Sequence, residues 1–326
     1  MATRAFAESP HLTRLAALRF AYGDMEEDTI AMLAASLNLA RLTRLLMNQN
    51  DLGNSAVIAL ANSPHLTRLE VLELGGNNLD AEGVEAIASS PTLARLRALE
   101  LRGNWRAGRA ARAVAVSSTL AGLERLGWTL GLDAGRDAAE LLGPSSGLTR
   151  LRVLYLGGVN PDVCRVVAAA PQLSTLEELT LSAGPCGDEG AAILAASPHL
   201  TRLVRLELSC AAGVGDAGAA ALAVSPILRN LRFLNLSSLE LTDAGAVALA
   251  DSPHLERLAR LDLGRNRITE TGARRLLASP RLPSLVRVEL GSNRIRAAGE
   301  RRLQDRFGKR VAFHGRWQEA SQQPGT

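Results

Sequence analysis

Residue types able to do acid–base, nucleophilic or metal chemistry are few in this chain, and their spacing keeps them apart. Four of the five histidines (His11, His65, His199, His254) follow Ser-Pro dipeptides at one place in a recurring pattern, in stretches that do not adjoin. A structural metal needs three or four ligands within about 2 Å of one ion, which equivalent turns of separated units cannot supply. His314 stands alone. Cys164, Cys186 and Cys210 form no CxxC pair and make an odd count, which argues against a disulfide framework. Cys186 and Cys210 are expected close together in adjacent units, as small core fillers. GLDAG at 131–135 lacks the lysine and the spacing of a phosphate-binding loop. These residues offer no catalytic group, no cofactor and no metal site. The expectation is not an enzyme.

The elements that would position any site come from repetition. LTRLEVLELGGNNLDAEGVEAIASSPT, Leu66 to Thr92, is one 27-residue unit. Its alternation through LEVLEL predicts a short strand, and VEAIA predicts a helix. Further units begin at Leu12, Leu39, Leu93, Leu120, Leu148, Leu173, Leu200, Leu228, Leu255 and Leu282, giving eleven in all. Leucine holds positions 1 and 4 throughout. Positions 7 and 9 are apolar in every unit, with Phe20, Met47, Trp128 and Val288 the departures from leucine. Such a unit cannot bury both faces alone and needs copies stacked on either side.

Composition agrees with stacking. Hydrophobic residues make up 47% of the 326 and aromatics only 3%, so leucine and alanine must fill a core that runs along the array. The net charge of +4 hides an asymmetry: from Leu255 onward 16 Arg/Lys face 7 Asp/Glu, leaving the first 254 residues net acidic. Residues 1–20 contain no apolar signal segment, and no 18-residue apolar run occurs. A cytoplasmic, monomeric protein with no membrane partner is the expectation.

Residues 1–11 resemble the tail of a unit whose front is missing, and are expected to form an incomplete leading repeat or a minimal cap. The solenoid would span 12–302, with a C-terminal cap at 303–320 built from a helix and a closing strand, and a disordered tail at 321–326. Position 12 carries Asn50, Asn77, Asn104, Asn266 and Asn293, expected to tie successive loops together. Units 5 to 9 lack it, and a weakened seam or change of curvature is expected near 120–172. Asp80, Thr242 and Thr269 stand where helix N-caps belong. Ser-Pro closes most units and stops their helices.

In each strand, positions 6 and 8 should point away from the core onto one concave sheet. Units 8 to 11 there give a column of arginines beside a column of carboxylates, interrupted by Phe233 and Asn235. Tyr155, Glu178, Arg205, Glu207, Phe233, Asn235, Arg260, Asp262, Arg287 and Glu289 are the expected partner contacts, since Tyr and Arg are favoured anchors. Two basic features compete. One is Arg106, Arg109 and Arg112 after Trp105, on one face of a predicted helix. The other is the cluster Arg294, Arg296, Arg301, Arg302, Arg306, Lys309 and Arg310. No nucleic-acid motif accompanies either, so nucleic acid is not the expected partner.

The unit pattern LxxLxxLxLxxNxLxxxGxxxLA resembles the ribonuclease-inhibitor-like class of leucine-rich repeats over about residues 12–302. SPHLTRL units with a closing LxxRFGxRV segment are similar to bacterial leucine-rich-repeat proteins abundant in planctomycetes. The resemblance implies an α/β horseshoe of about eleven 27-residue units, parallel strands on the concave face and helices on the convex face. It fixes no partner. The functional expectation is a non-enzymatic module binding a protein on its strand face. The alternative is an enzyme regulator of GTPase-activating or inhibitor type, because the class includes the Ran GTPase-activating protein and ribonuclease inhibitor. This chain has neither the acidic C-terminal tail of the first nor the cysteine-rich composition of the second, and no catalytic arginine carries over.

Overall fold

The computed structural model describes residues 9–20, 27–104, 106–209 and 211–313. The expectations for residues 1–8, Trp105, Cys210, His314 and the tail fall outside them. Twelve strands form one parallel sheet in sequence order. They are β1 (Ala17–Arg19), β2 (Arg44–Leu46), β3 (Val71–Glu73), β4 (Ala98–Glu100), β5 (Arg125–Thr129), β6 (Val153–Gly157), β7 (Glu178–Ser182), β8 (Arg205–Glu207), β9 (Phe233–Asn235), β10 (Arg260–Asp262), β11 (Arg287–Glu289) and β12 (Val311–Ala312). Position 7 pairs with position 7 of the next unit at every step, as in Leu72 with Leu99 and Leu234 with Leu261. Each unit returns to the sheet through an outer helix or helical turn, and the last helix, Ala297–Phe307, leads into β12. The architecture is a leucine-rich-repeat solenoid. Positions 1, 4, 7 and 9 are buried from Leu39 to Leu290, and each such leucine removed from water contributes about 2 kcal/mol.

The apolar seam does not explain how the turns survive burial, since unpaired backbone groups there would each cost a lost hydrogen bond. The asparagine column answers this as expected. Asn77 Oδ1 accepts from the backbone N–H of Asn50 and Leu52, and its Nδ2 donates to the carbonyls of Met47 and Leu74. Asn104, Asn266 and Asn293 repeat this reach into the preceding unit. Around 120–172, where the asparagine is missing, the strands lengthen instead. Strands β5, β6 and β7 are five residues long, against three in most others, and pair along that whole length. The next loops then bond backbone to backbone, Ala212 N–H to the Gly184 carbonyl at 2.9 Å and Gly187 N–H to the Ala212 carbonyl at 3.0 Å. Small residues at position 12 permit that approach.

Two further columns stitch the helix layer. The N-caps at Asp80, Thr242 and Thr269 form, accepting from Glu82, Ala244 and Thr271. The serine before proline does more than end a helix: Ser197 Oγ donates to the Ala168 carbonyl at 2.8 Å, and Ser63, Ser90, Ser225 and Ser252 make the equivalent bond to the preceding unit. At the helix starts an acid reaches forward. Asp188 Oδ1 accepts from Gly215 and Gly218 at 2.7 and 2.8 Å, and Asp216 serves Thr242 and Gly245 likewise. That explains the repeat glycine, because a Cβ on Gly218 would lie 2.7 Å from Asp188 Oδ1.

Asn77→Ala is expected to cost about 3 kcal/mol by leaving two buried N–H donors unpaired, against under about 1 kcal/mol for the exposed neighbour in Asn78→Ala, read as shifts in urea midpoint. Gly218→Ala should cost about 2 kcal/mol by the same measurement, and combining it with Asp188→Ala should recover part of the loss.

Candidate functional site

The strand register makes the concave face one continuous surface, with positions 6 and 8 in two parallel rows. A hollow of about 670 Å³ lies over β1 to β8. Of the expected contacts, Tyr155, Arg205 and Glu207 line it, whereas Phe233, Asn235, Arg260, Asp262, Arg287 and Glu289 belong to strands beyond it, and Glu178 is not among its lining residues.

Charge on this face is largely self-paired. Arg205 meets Glu207 at 2.6 Å and Glu178 at 3.8 Å, and Arg102 meets Glu100 at 2.9 Å. A rim one residue before position 6 adds Arg97 with Glu124 and Arg152 with Glu177, the latter at 2.7 Å. Positions 6 and 8 alone do not single out that rim, although Arg97, Glu124, Arg152 and Glu177 alternate sign from unit 4 to unit 7. Solvated pairs of this kind stabilise by under about 1 kcal/mol each, so they shape the potential more than the stability.

The two aromatics are not bare anchors. The Arg102 guanidinium lies 4.7 Å from the Tyr155 ring centre, and that of Arg205 lies 3.9 Å from Phe233. Such stacking leaves the guanidinium edge for a carboxylate or carbonyl. Burial and then Glu178 push the Tyr155 hydroxyl above the usual tyrosine range, with Arg125, Arg102 and Arg205 partly offsetting them. Tyr155 therefore stays a neutral donor at physiological pH.

At the C-terminal end, two expected contacts turn inward. Asp262 and Glu289 sit on the concave row but are each only 5% exposed. Asp262 folds back to accept from Gly264 N–H at 2.8 Å, which pins it to its own turn. Glu289 is flanked by Asp262 and by Ala312 of the closing strand. Its Oε1 has no hydrogen-bond partner among the described residues, and Arg287 is 3.6 Å from Oε2. Burial first, and then Asp262, raise its carboxyl above the ordinary glutamate range. Asn235 is also committed locally, to Ser237 N–H at 2.9 Å. On this part of the face the exposed groups are Arg260 and Arg287.

Elsewhere the structure assembles little chemistry. His65, His199 and His254 each donate their backbone N–H to a serine hydroxyl two residues earlier, in turns of separate units. Among the described residues no group of three or more His, Cys, Asp or Glu is placed to hold a metal ion. Cys186 has a sulfur neighbour in Cys164 at 3.5 Å, and the expected pairing with Cys210 falls outside the described residues. Cys164 stands on the helix Pro161–Ala169 and Cys186 at the start of the next, so helix stacking brings them together across the seam. Both are fully buried, and the mutual contact with burial pushes the Cys164 thiol up, which keeps it unreactive. Arg106, Arg109 and Arg112 are exposed, the first just ahead of a short 3₁₀ turn at Ala107–Ala110, the second on it and the third on the helix Ala111–Ala115, rather than on one helix. No helix among the described residues is long and apolar enough to cross a membrane.

A family model described as Leucine Rich repeat matches residues 63–88, 197–223 and 228–250. No curated protein matches the chain. Among solved structures it is similar to the Rad7 and Elc1 complex of yeast, with TM-score 0.58 and 18% identity, covering 97% of this chain and 87% of that one. It is also similar to an internalin from Listeria monocytogenes, with TM-score 0.49 and 17% identity, covering 96% and 94%. At these identities the likeness is one of fold.

Glu289 gives the site its pH signature. A carboxyl raised in the folded state favours the protonated form, so its stabilising contribution is present below the unfolded value of about 4.3 and lost as pH rises through the folded one. Glu289→Gln should therefore melt higher than the parent at pH 7, with the advantage shrinking to nothing near pH 4. An advantage constant over that range would contradict the assigned burial.

Proposed function

We propose that this chain is a non-enzymatic protein-interaction module that holds a protein partner on its concave strand face, centred on the hollow around Tyr155 and Arg205. The repeat type suits this reading, since ribonuclease-inhibitor-like units place helices outside and leave one face of the sheet uncovered. The observation that carries the proposal is the unbroken register. It converts scattered positions 6 and 8 into a contiguous charged surface with a hollow large enough for side chains of a second protein. Arginine and tyrosine at its centre are the residue types that dominate binding energy at such surfaces. The yeast structure that shares the fold is itself a complex of two proteins.

A photo-crosslinking amino acid placed at Tyr155, and separately at the outer-layer Arg112, tests this in cells. Cross-links to a discrete protein are expected from Tyr155 only, falling about tenfold in Arg205→Glu and Arg260→Glu backgrounds, because reversed charge at a complementary interface costs over 1 kcal/mol. Equal yields from Arg112, or cross-links indifferent to both reversals, would remove the concave face from consideration.

A further inference from the structure

Most arginines of the hollow are committed to glutamates, but Arg19, Arg44 and Arg125 have no acidic or hydrogen-bonding partner among the described residues. Arg44 is half-buried, and its Nε is out of reach of solvent and unpaired. Unpaired guanidinium groups along one face raise the potential of the free protein, and a carboxylate is the group that relieves it, through two parallel hydrogen bonds. Arg44 and Arg125 also share one row. The register runs Arg44, Val71, Ala98, Arg125 across β2 to β5, so two small apolar side chains floor the space between the two cations. Glu73 and Glu100 occupy the neighbouring row alongside that floor, held by Asn48 at 2.7 Å and Arg102 at 2.9 Å. Acid is therefore attracted at the two ends of the strip and repelled at its middle.

We propose that this strip binds an extended acidic segment of a protein partner, with two carboxylates four residues apart on Arg44 and Arg125 and an apolar residue midway on Val71 and Ala98. The inference rests on the concave-face reading and names the chemistry of the partner. Three strand spacings separate the two arginines by about 14 Å. In an extended chain, residues four apart are about 13 Å apart and face the same side, as does the residue between them. A helix covers that length in about nine residues, which places the two acids on opposite sides. Arg19 pairs in register with Leu46, two residues along β2 from Arg44, and gives the first carboxylate a second cation. A nucleic-acid strand fits less well: its closely spaced phosphates would face Glu73 and Glu100.

The test uses the full chain and the fluorescent, amidated probe Gly-Glu-Ala-Leu-Ala-Glu-Gly, followed by anisotropy. The permuted probe Gly-Glu-Glu-Ala-Leu-Ala-Gly should bind about tenfold more weakly, and Arg44→Gln and Arg125→Gln should each weaken the spaced probe by about tenfold, the typical loss when a complementary charge is removed. Arg202→Gln, in a turn outside the hollow, should change nothing. The Arg44→Glu, Arg125→Glu double variant should instead prefer the spaced probe with lysine at both acidic positions. The proposal is overturned if the two acidic probes bind alike, or if the spaced one does not bind at about 1 mM. It is overturned equally if Arg44→Gln and Arg125→Gln behave like Arg202→Gln, or if a mixed-sequence single-stranded DNA displaces the probe. Cross-links from Tyr155 that persist in Arg44→Gln and Arg125→Gln, with the probe failing, would sink the acidic segment alone. Loss of the Tyr155 cross-links as well would take the concave-face reading with it.

Discussion

A buried backbone N–H or carbonyl must find a partner, and the turns of a 27-residue unit cannot supply their own. Everything else in the structure follows from how that need is met. Strand ladders satisfy only three residues in most units, so side chains must do for the turns what the sheet does for the strands. Asparagine works at the strand-to-loop turn, serine at the helix end, and aspartate at the helix start. Each links one unit to its neighbour. Leucine burial supplies the driving force, while these columns decide the spacing at which burial occurs.

Much of this was legible because it recurs. The leucine spacing located the strands, asparagine at position 12 announced the loop ladder, and Asp80, Thr242 and Thr269 marked helix starts. The serine bonds were hidden because Ser-Pro already had a sufficient local explanation, while its second role crosses to another unit. The glycine before the helix core was hidden likewise, since its neighbour, Asp188 or Asp216, is about one unit away in sequence. The contact of Cys164 with Cys186 was missed because helix packing, not repeat position, sets it. At the site, period-2 alternation told which residues face inward or outward. It could not tell that Asp262 folds back on its own turn or that Glu289 is covered, because both depend on closing the last turns against β12.

The same distinction separates the two halves of the concave face. Toward the C-terminus, Asp262 is consumed by its own turn and Glu289 is covered, leaving arginines exposed beside buried acids. Around the hollow, most glutamates are consumed by neighbouring arginines and Glu73 by Asn48, and the surplus cations Arg44 and Arg125 are flanked in their row by Val71 and Ala98 rather than by acids. Which charge is available to a partner is thus a matter of neighbours in the register, not of charge count.

The asparagine and serine bonds all point one way: Asn77 serves the turn that begins at Met47, and Ser197 serves the last turn of the helix that ends at Ala169. A unit is therefore finished by its successor. On the ribosome, a nascent chain that grows from its N-terminus must carry each newly emerged turn open until the next 27 residues arrive. Assembly would lag synthesis by one repeat, and a chain released early would present its last turn unsealed.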